Sequence, residues 1–464
     1  MTEKYIAIGI YLVILTLITW LSARRKNVGD FLFASHDVGW KNLSISIFAS
    51  VISSYNVVLT LTFAFLFGPY ILLVFLGSLA AFLGIYFIAK KYQAIIQEHS
   101  FNNIIDFFAH KFDSKTATTL NLAFILVLFI FIILQLFINT SVFSELMGWN
   151  KYVSSIFVGA IVLAYTTIGG LKAEIYTDIF QGILMFLVIA LVFMVDTSVI
   201  TAETVGAILS DKTILVGAIC LSAAQFLTLL VQPEMWQRVA AARSIRNIKK
   251  GFIVSWVLLT LFIIPEILIG LSARASGEIE DPSNLFYDIL ATSAPAWFLP
   301  FLAVGLFAAF MSTLDSSLFA ISSQLGKYGF IVKKKEHEEK SAPVRDRQVA
   351  RSTRISIVIV AVLALILSLF FANFLSAVFG LISLLTVISV AVLLSLIFKL
   401  SSNETFAAIL VGIAAFAFAL FGGFITQEPI TSLYPSFALV GYMIVQTFVV
   451  RGYRRFQTGA TGTG

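Results

Sequence analysis

Charge is what this sequence has least of. Asp, Glu, Lys and Arg make up 12% of its 464 residues, against about 25% in soluble globular chains. A chain so poor in charge cannot cover its own surface in water, which excludes an ordinary soluble protein. Cysteine occurs once, as Cys220 inside an apolar run, and this excludes an intrachain disulfide and a cysteine-based metal site. The short alternating segments that mark a membrane β-barrel are also missing. The first apolar run, Tyr5 to Ala23, has no small-residue cleavage site after it and reads as a retained helix rather than a signal peptide. No soluble catalytic or signalling domain is expected beside the apolar part.

What fills the sequence instead is apolar: 59% of residues, gathered into runs of about 18–25, the length a helix needs to cross a hydrocarbon core of about 30 Å. Thirteen candidate spans lie near 5–23, 42–67, 70–89, 118–138, 152–169, 175–196, 213–232, 251–272, 297–326, 354–372, 374–398, 405–424 and 434–450. The second and ninth are longer than a perpendicular helix requires, so they are expected to tilt, break or project.

The net charge of +6 does not point to nucleic acid, because Lys and Arg sit in the loops between apolar runs. They recur on one side only: Arg24, Arg25 and Lys26; Lys90 and Lys91; Arg238, Arg243 and Arg246; Lys333 to Lys335; and Arg451, Arg454 and Arg455. Opposite loops are poor in both, and one is acidic, with Glu278, Glu280, Asp281 and Asp288. The positive-inside rule then sets the N-terminus outside and the C-terminus in the cytoplasm of a plasma (inner) membrane protein.

Function should concentrate where polar groups occur at membrane depth, since each needs an internal partner or a wet cavity. The second span carries Ser50, Ser53, Ser54, Tyr55 and Asn56 mid-way, and five spans later the seventh carries Ser222 and Gln225. A second copy of five spans enters the membrane upside down, the plan in which interrupted helices frame a solute site. No Gly or Pro marks a break in the second span, and polar glue between packed helices is the alternative. In the ninth span Ser312, Thr313, Asp315 and Ser316 fall within an arc of roughly 160°. Oxygen donors on one buried face suit a hard cation such as sodium rather than a soft metal. Asp178 opens the sixth span, where the helix macrodipole alone would favour it. Glu266, beside Pro265 in the eighth, reads as an interfacial residue near the outer mouth, a gate or a proton-linked group. His36, His99, His110 and His337 all fall in loops.

Several segments, in order, resemble the sodium:solute symporter family, which includes sodium-coupled proline, sugar and sialic acid transporters. They are Asp30 to Ala34 with Gly39 and Trp40, Tyr165 to Ala173 continuing through Thr177, Asp178 and Gln181, Gln232 to Arg238 followed by Ala240 to Arg243, and Met311 to Ser316. The resemblance implies an all-α polytopic membrane protein of 13 transmembrane helices. Its five-plus-five inverted-repeat (LeuT-type) core would have one preceding and two following helices. The parts would be 1–41, repeats 42–196 and 213–398, then 405–450 and a tail 451–464. It also implies a main sodium site of the backbone carbonyls of Ala49, Ile52 and Ala309 with the hydroxyls of Ser312 and Thr313. Some members hold a second sodium, here matched by Asp178, Ser312, Asp315 and Ser316, although position 315 is Asp where the pattern has Ser. Candidate solute contacts are Ser53, Asn56, Gln135 and Gln225. The fourth span lacks the arginine expected for a sialic acid carboxylate, so a neutral or zwitterionic solute is expected. The expected partners are that solute, sodium as coupling ion and the bilayer, for a monomer with no organic cofactor and no enzymatic activity. A proton-coupled carrier and a transporter-like membrane sensor are the alternatives.

Overall fold

A computed structural model describes residues 2–23, 31–32, 34–98, 104–279, 282, 285–328, 342–370 and 374–460. Asp30, Arg24 to Lys26, Lys333 to Lys335, Glu280 and Asp281, all used above, lie outside the described residues.

The described chain is helical throughout, with no sheet, only an isolated bridge between Val38 and Ala242. Helix α1 is Thr2–Ala23; α2, Trp40–Val51, and α3, Ser54–Phe67, together cover the second predicted span. Then come α4 (Leu72–Glu98), the short α5 (Ile104–Lys111), α6 (Ser114–Met147) and α7 (Lys151–Ile189). A short α8 (Ala202–Ser210) precedes α9 (Lys212–Val231), α10 (Pro233–Ala241), α11 (Ile245–Ser276) and the short α12 (Leu285–Ser293). The chain finishes with α13 (Leu299–Tyr328), α14 (Ala342–Ser368), α15 (Phe374–Ile397), α16 (Ser402–Phe421) and α17 (Tyr434–Ala460).

Polar residues beside the apolar runs set where these helices begin. Asp113, Asn150, Ser244 and Ser401 each accept a hydrogen bond from a first-turn backbone N–H, satisfying donors that a helix start otherwise leaves orphaned. Ten helices among the described residues are long and apolar enough to cross a membrane. The predicted spans number more. Tyr55–Tyr92 runs through two of them with a turn at Gly68–Ile71, Lys151–Ala164 is a shorter apolar helix, and 434–450 lies within α17. Bulky apolar side chains face outward, Phe87 at 61% and Phe421 at 88% exposure among them, as lipid contact allows and water would penalise. α13 is the opposite case. Its apolar window is wholly buried, packed by α1, α6, α7 and α14, so polar atoms on it can meet only protein or ions.

Two interruptions shape the region around α13. Between α2 and α3, Ile52 and Ser53 are extended (φ −85° and −124°). Neither Gly nor Pro makes this break. The Ser53 hydroxyl accepts from the Asn56 backbone N–H at 3.0 Å, and the Asn56 side chain donates to the Val51 carbonyl. Local side-chain bonds thus offer the backbone an alternative to continuous helix. The second interruption is Gly170 in α7 (φ 70°, ψ 179°), where a Cβ would stand 2.3 Å from the Phe31 ring. Gly170→Ala is therefore expected to lower stability by about 2–5 kcal/mol. Left-handed strain contributes roughly 1–2 and overpacking roughly 1–3; thermal unfolding in detergent measures the sum.

The seventh predicted span does not break at its polar middle. α9 is continuous through Ser222 and Gln225 and stops at Gln232, extended just before Pro233. Ser222 donates to the Leu73 carbonyl at 2.7 Å and Gln225 to the Ser78 hydroxyl at 3.2 Å. Both side chains thus tie α9 to α4. A Cβ on Gly77 would come within 2.3 Å of the Ser222 carbonyl, so this helix pair is as close as glycine permits.

Candidate functional site

Five predicted oxygens converge where α2 ends against α13. The Ser312 hydroxyl donates to the Ala49 carbonyl at 2.9 Å and lies 3.1 Å from that of Ala309. The Thr313 hydroxyl stands 3.2 Å from the Ile52 carbonyl, 3.4 Å from Ala309 and 3.5 Å from both Ala49 and Ser50. All six residues are buried. The break exposes the Ala49, Ser50 and Ile52 carbonyls, because the chain leaving α2 has no helical successor to bond them, and α2's dipole puts its negative end at the same point.

This geometry can be tested against the chemistry of a cation. The Thr313 hydroxyl owns one proton yet faces four carbonyls at separations longer than a good O–H···O bond. One proton cannot satisfy four acceptors, whereas one cation can. Ligands about 2.3–2.6 Å from a hard cation of calcium's size sit roughly 3.3–3.7 Å from their neighbours at right angles. The Thr313 separations approach that spacing. Neutral oxygens in a dry site suit a weakly charged hard ion. The Ser50 carbonyl was not among the predicted ligands; its place in the last turn of α2, next to Ala49, was the available signal.

One helical turn along α13 lies an ionic network. Arg238 of α10 is completely buried. Its Nη2 donates to Glu174 Oε1 at 3.0 Å, Asp178 Oδ2 at 2.9 Å and Ser316 Oγ at 2.9 Å; its Nε reaches Ser46 Oγ at 3.0 Å. Ser46 donates to Asp178 at 2.5 Å, and the Ser316 hydroxyl lies 2.8 Å from Glu174 and 2.7 Å from the Ser312 carbonyl. Beside it the Ser317 hydroxyl donates to Glu234 at 2.7 Å, and burial pushes the Glu234 carboxyl above its usual range. Arg238, counted from sequence with the loop charges, is an interior residue. Asp178 is also not at a helix start: it sits two turns beyond the Gly170 break, held by a guanidinium rather than a macrodipole. Of the four residues matched to a second sodium, Ser312 belongs to the first cluster, Asp178 and Ser316 bind Arg238, and Asp315 accepts from the Ser316 N–H at 2.7 Å. Glu174 and Arg238 were missed as site residues.

The predicted solute contacts divide. Ser53 and Asn56 stitch the α2–α3 break, and Gln225 is turned to Ser78. Gln135 on α6 is fully buried, and neither its Nε2 nor its Oε1 has a hydrogen-bond partner. It lies one turn along α6 from Phe131, whose ring meets that of Tyr55 in the first turn of α3 edge-on at 5.8 Å. Glu266, expected at an interface, is 2% exposed with both carboxyl oxygens lacking a hydrogen-bond partner.

A family model described as the sodium:solute symporter family matches residues 31–397. The osmoregulated proline transporter OpuE of Bacillus subtilis (strain 168) is 24% identical over 395 residues, covering 79% of this chain and 78% of that protein. Sodium/proline symporter 2 of Staphylococcus saprophyticus is 26% identical over 388 residues, covering 78% and 75%. Among solved structures, a Na+-coupled sialic acid symporter in a substrate-bound outward-open state superposes with a TM-score of 0.75 at 17% identity, covering 96% of this chain and 97% of that one. That likeness shows a shared fold.

Proposed function

This chain belongs to the sodium:solute symporter family, a membrane transporter coupled to sodium, and from that premise we propose that it imports proline or a closely similar zwitterion. The observation that carries the coupling is the Thr313 hydroxyl facing four carbonyls at the α2–α3 break. We assign the sodium to Ala49, Ile52, Ala309, Ser312 and Thr313. Proline is supported by the names of the relatives, and a zwitterion by the lack of an arginine in the fourth span.

The proposal extends to architecture: thirteen spans, a five-plus-five inverted repeat over 42–196 and 213–398, a cytoplasmic C-terminus in the inner membrane, and a monomer. A sodium ion between α2 and α13 bridges a helix that moves and one that stays, and so stabilises the arrangement that receives solute. One positive charge moving inward through about 100 mV contributes roughly 2.3 kcal/mol, about fiftyfold in solute accumulation. A second ion on Asp178, Ser312, Asp315 and Ser316 would have to compete with Arg238 for Asp178 and Ser316.

The unpartnered amide of Gln135 is the solute contact we favour most, since a donor and an acceptor together match a carboxylate and an ammonium. Gln135→Leu is expected to raise the half-saturating proline concentration about tenfold, the worth of one hydrogen bond to a charged group, with sodium dependence unchanged in the same uptake assay. The binding test is thermal shift with proline in sodium and in potassium. Stabilisation should appear only in sodium; equal shifts in both salts would contradict sodium coupling of the site.

A further inference from the structure

We propose that the adjoining starts of α2 and α11 form a docking site for one anionic phospholipid, a surface that serves neither ion nor solute and so goes beyond the transport reading. The two helices begin side by side. The Trp40 backbone N–H donates to Asn247 Oδ1 at 3.0 Å, and Asn247 Nδ2 donates to the Ser244 hydroxyl at 2.8 Å. One turn along, a Cβ on Gly251 would stand 2.9 Å from the Leu43 side chain, so little separates the pair.

Positive charge gathers there with no acid to answer it. Lys41, Arg246, Lys249 and Lys250 are all exposed, and among the described residues none of them forms an ion pair. Asp37 is the only acid in 37–51 or 240–265, and Arg243 takes it at 2.6 Å. Lys41 and Lys250, from different helices, stand 5.8 and 5.9 Å from the centre of the Trp40 ring. Two like charges brought to one indole favour an anion beside them. Both helix dipoles are positive at this end. Gly39 gives α2 no side-chain cap, which leaves first-turn N–H groups open to a phosphate oxygen.

What points to a lipid rather than free phosphate is the continuation along α11. Ile253, Val257, Leu261 and Ile264 follow the basic residues at intervals of three or four, each 45–54% exposed. Arg246 and Lys249 fall on the same line. One helix face thus offers cations to a headgroup and, further along, an apolar strip to an acyl chain. Trp40 sits at the junction, where an amphipathic ring belongs. Loop charge sets this end in the cytoplasm, against the leaflet with a negative surface potential. A phosphate shared by the two starts braces the helix that leads to the Ala49 and Ile52 carbonyls.

The test titrates full-length protein in a neutral detergent with phosphatidylglycerol or with phosphatidylcholine of the same chains, read by native mass spectrometry and thermal unfolding. One phosphatidylglycerol should bind more tightly than any phosphatidylcholine and raise the melting temperature. Lys41→Gln with Lys249→Gln and Lys250→Gln should weaken that binding roughly a hundredfold. Lys249→Gln alone, at an exposed side chain with no ion-pair partner, should weaken it about fivefold and decides the matter if the triple variant does not fold. Lys111→Gln with Lys115→Gln, which removes charge around the start of α6, should leave it within about twofold. The proposal is overturned if both lipids bind alike, if the Lys249 and triple variants keep the parent's preference, or if the Lys111 and Lys115 variant loses as much. It is equally overturned if inorganic phosphate gives the same thermal shift, since the site then takes a free anion.

Discussion

Replacing Ser312 and Thr313 together by alanine is expected to raise the sodium concentration for half-maximal uptake by about 100-fold or more. Each hydroxyl is a ligand to an ion in a site without water, where a hydrogen bond or ligand contact to a charge is worth about 1.5–3 kcal/mol. Two such losses total about 3–6 kcal/mol, and every 1.4 kcal/mol is a factor of ten. Folding should suffer much less, because in the ion-free protein Ser312 is an ordinary donor to the Ala49 carbonyl, worth about 1 kcal/mol, and the longer contact of Thr313 with the Ile52 carbonyl is worth less. The double variant should therefore melt in potassium only slightly below the parent while losing the extra stabilisation that sodium provides. Thr313→Ser keeps the oxygen and should retain sodium affinity within a few-fold. An unchanged sodium dependence in the double variant would remove these hydroxyls from the site.

Arg238→Ala should be the most damaging single substitution for stability, by about 3–5 kcal/mol. The guanidinium is buried with Glu174 and Asp178 within 3.0 Å, and removing one partner leaves uncompensated charge in the interior. It also joins four elements, through Ser46 on α2, Glu174 and Asp178 on α7, Ser316 on α13 and its own α10. Arg238→Lys should fall between parent and alanine, since an ammonium keeps the charge but cannot present Nε and Nη2 together to Ser46 and the carboxylates. Thermal unfolding of the three proteins in detergent decides it. A melting temperature for the alanine variant equal to the parent's would mean that the network carries little stability.

How much of this was legible follows from what each signal depends on. Span length and hydropathy depend on local composition, so most helices fall close to their predicted limits: 118–138 within Ser114–Met147, and 374–398 against Phe374–Ile397. Ser312 and Thr313 were legible because one helix face can be drawn from spacing alone, and family resemblance supplied the facing carbonyls. The α2–α3 break was only hinted at, since Ser53 and Asn56 make it with side-chain hydrogen bonds rather than with Gly or Pro. Ser222 and Gln225 have the same composition signal and a different outcome, because polar residues bond equally well to a broken backbone or to a neighbouring helix. Arg238 was illegible as an interior residue. Next to Arg243 and Arg246 it looks like a loop charge, and only tertiary folding carries α10 beneath α13 to meet carboxylates 60 and 64 residues earlier. Glu266 likewise gave no sign of which way it faces, since Pro265 beside it suggests an end while the helix continues on to Ser276.

The most direct measurement is uptake of labelled proline into proteoliposomes holding the purified protein, under an imposed inward sodium, potassium or proton gradient. Sodium alone should drive accumulation above equilibrium, increasing with an inside-negative potential and abolished by Ser312→Ala with Thr313→Ala at the same sodium concentration. Accumulation driven equally by a proton gradient without sodium, or sodium-driven uptake unaffected by the double substitution, would contradict sodium coupling at the α2–α13 oxygen cluster.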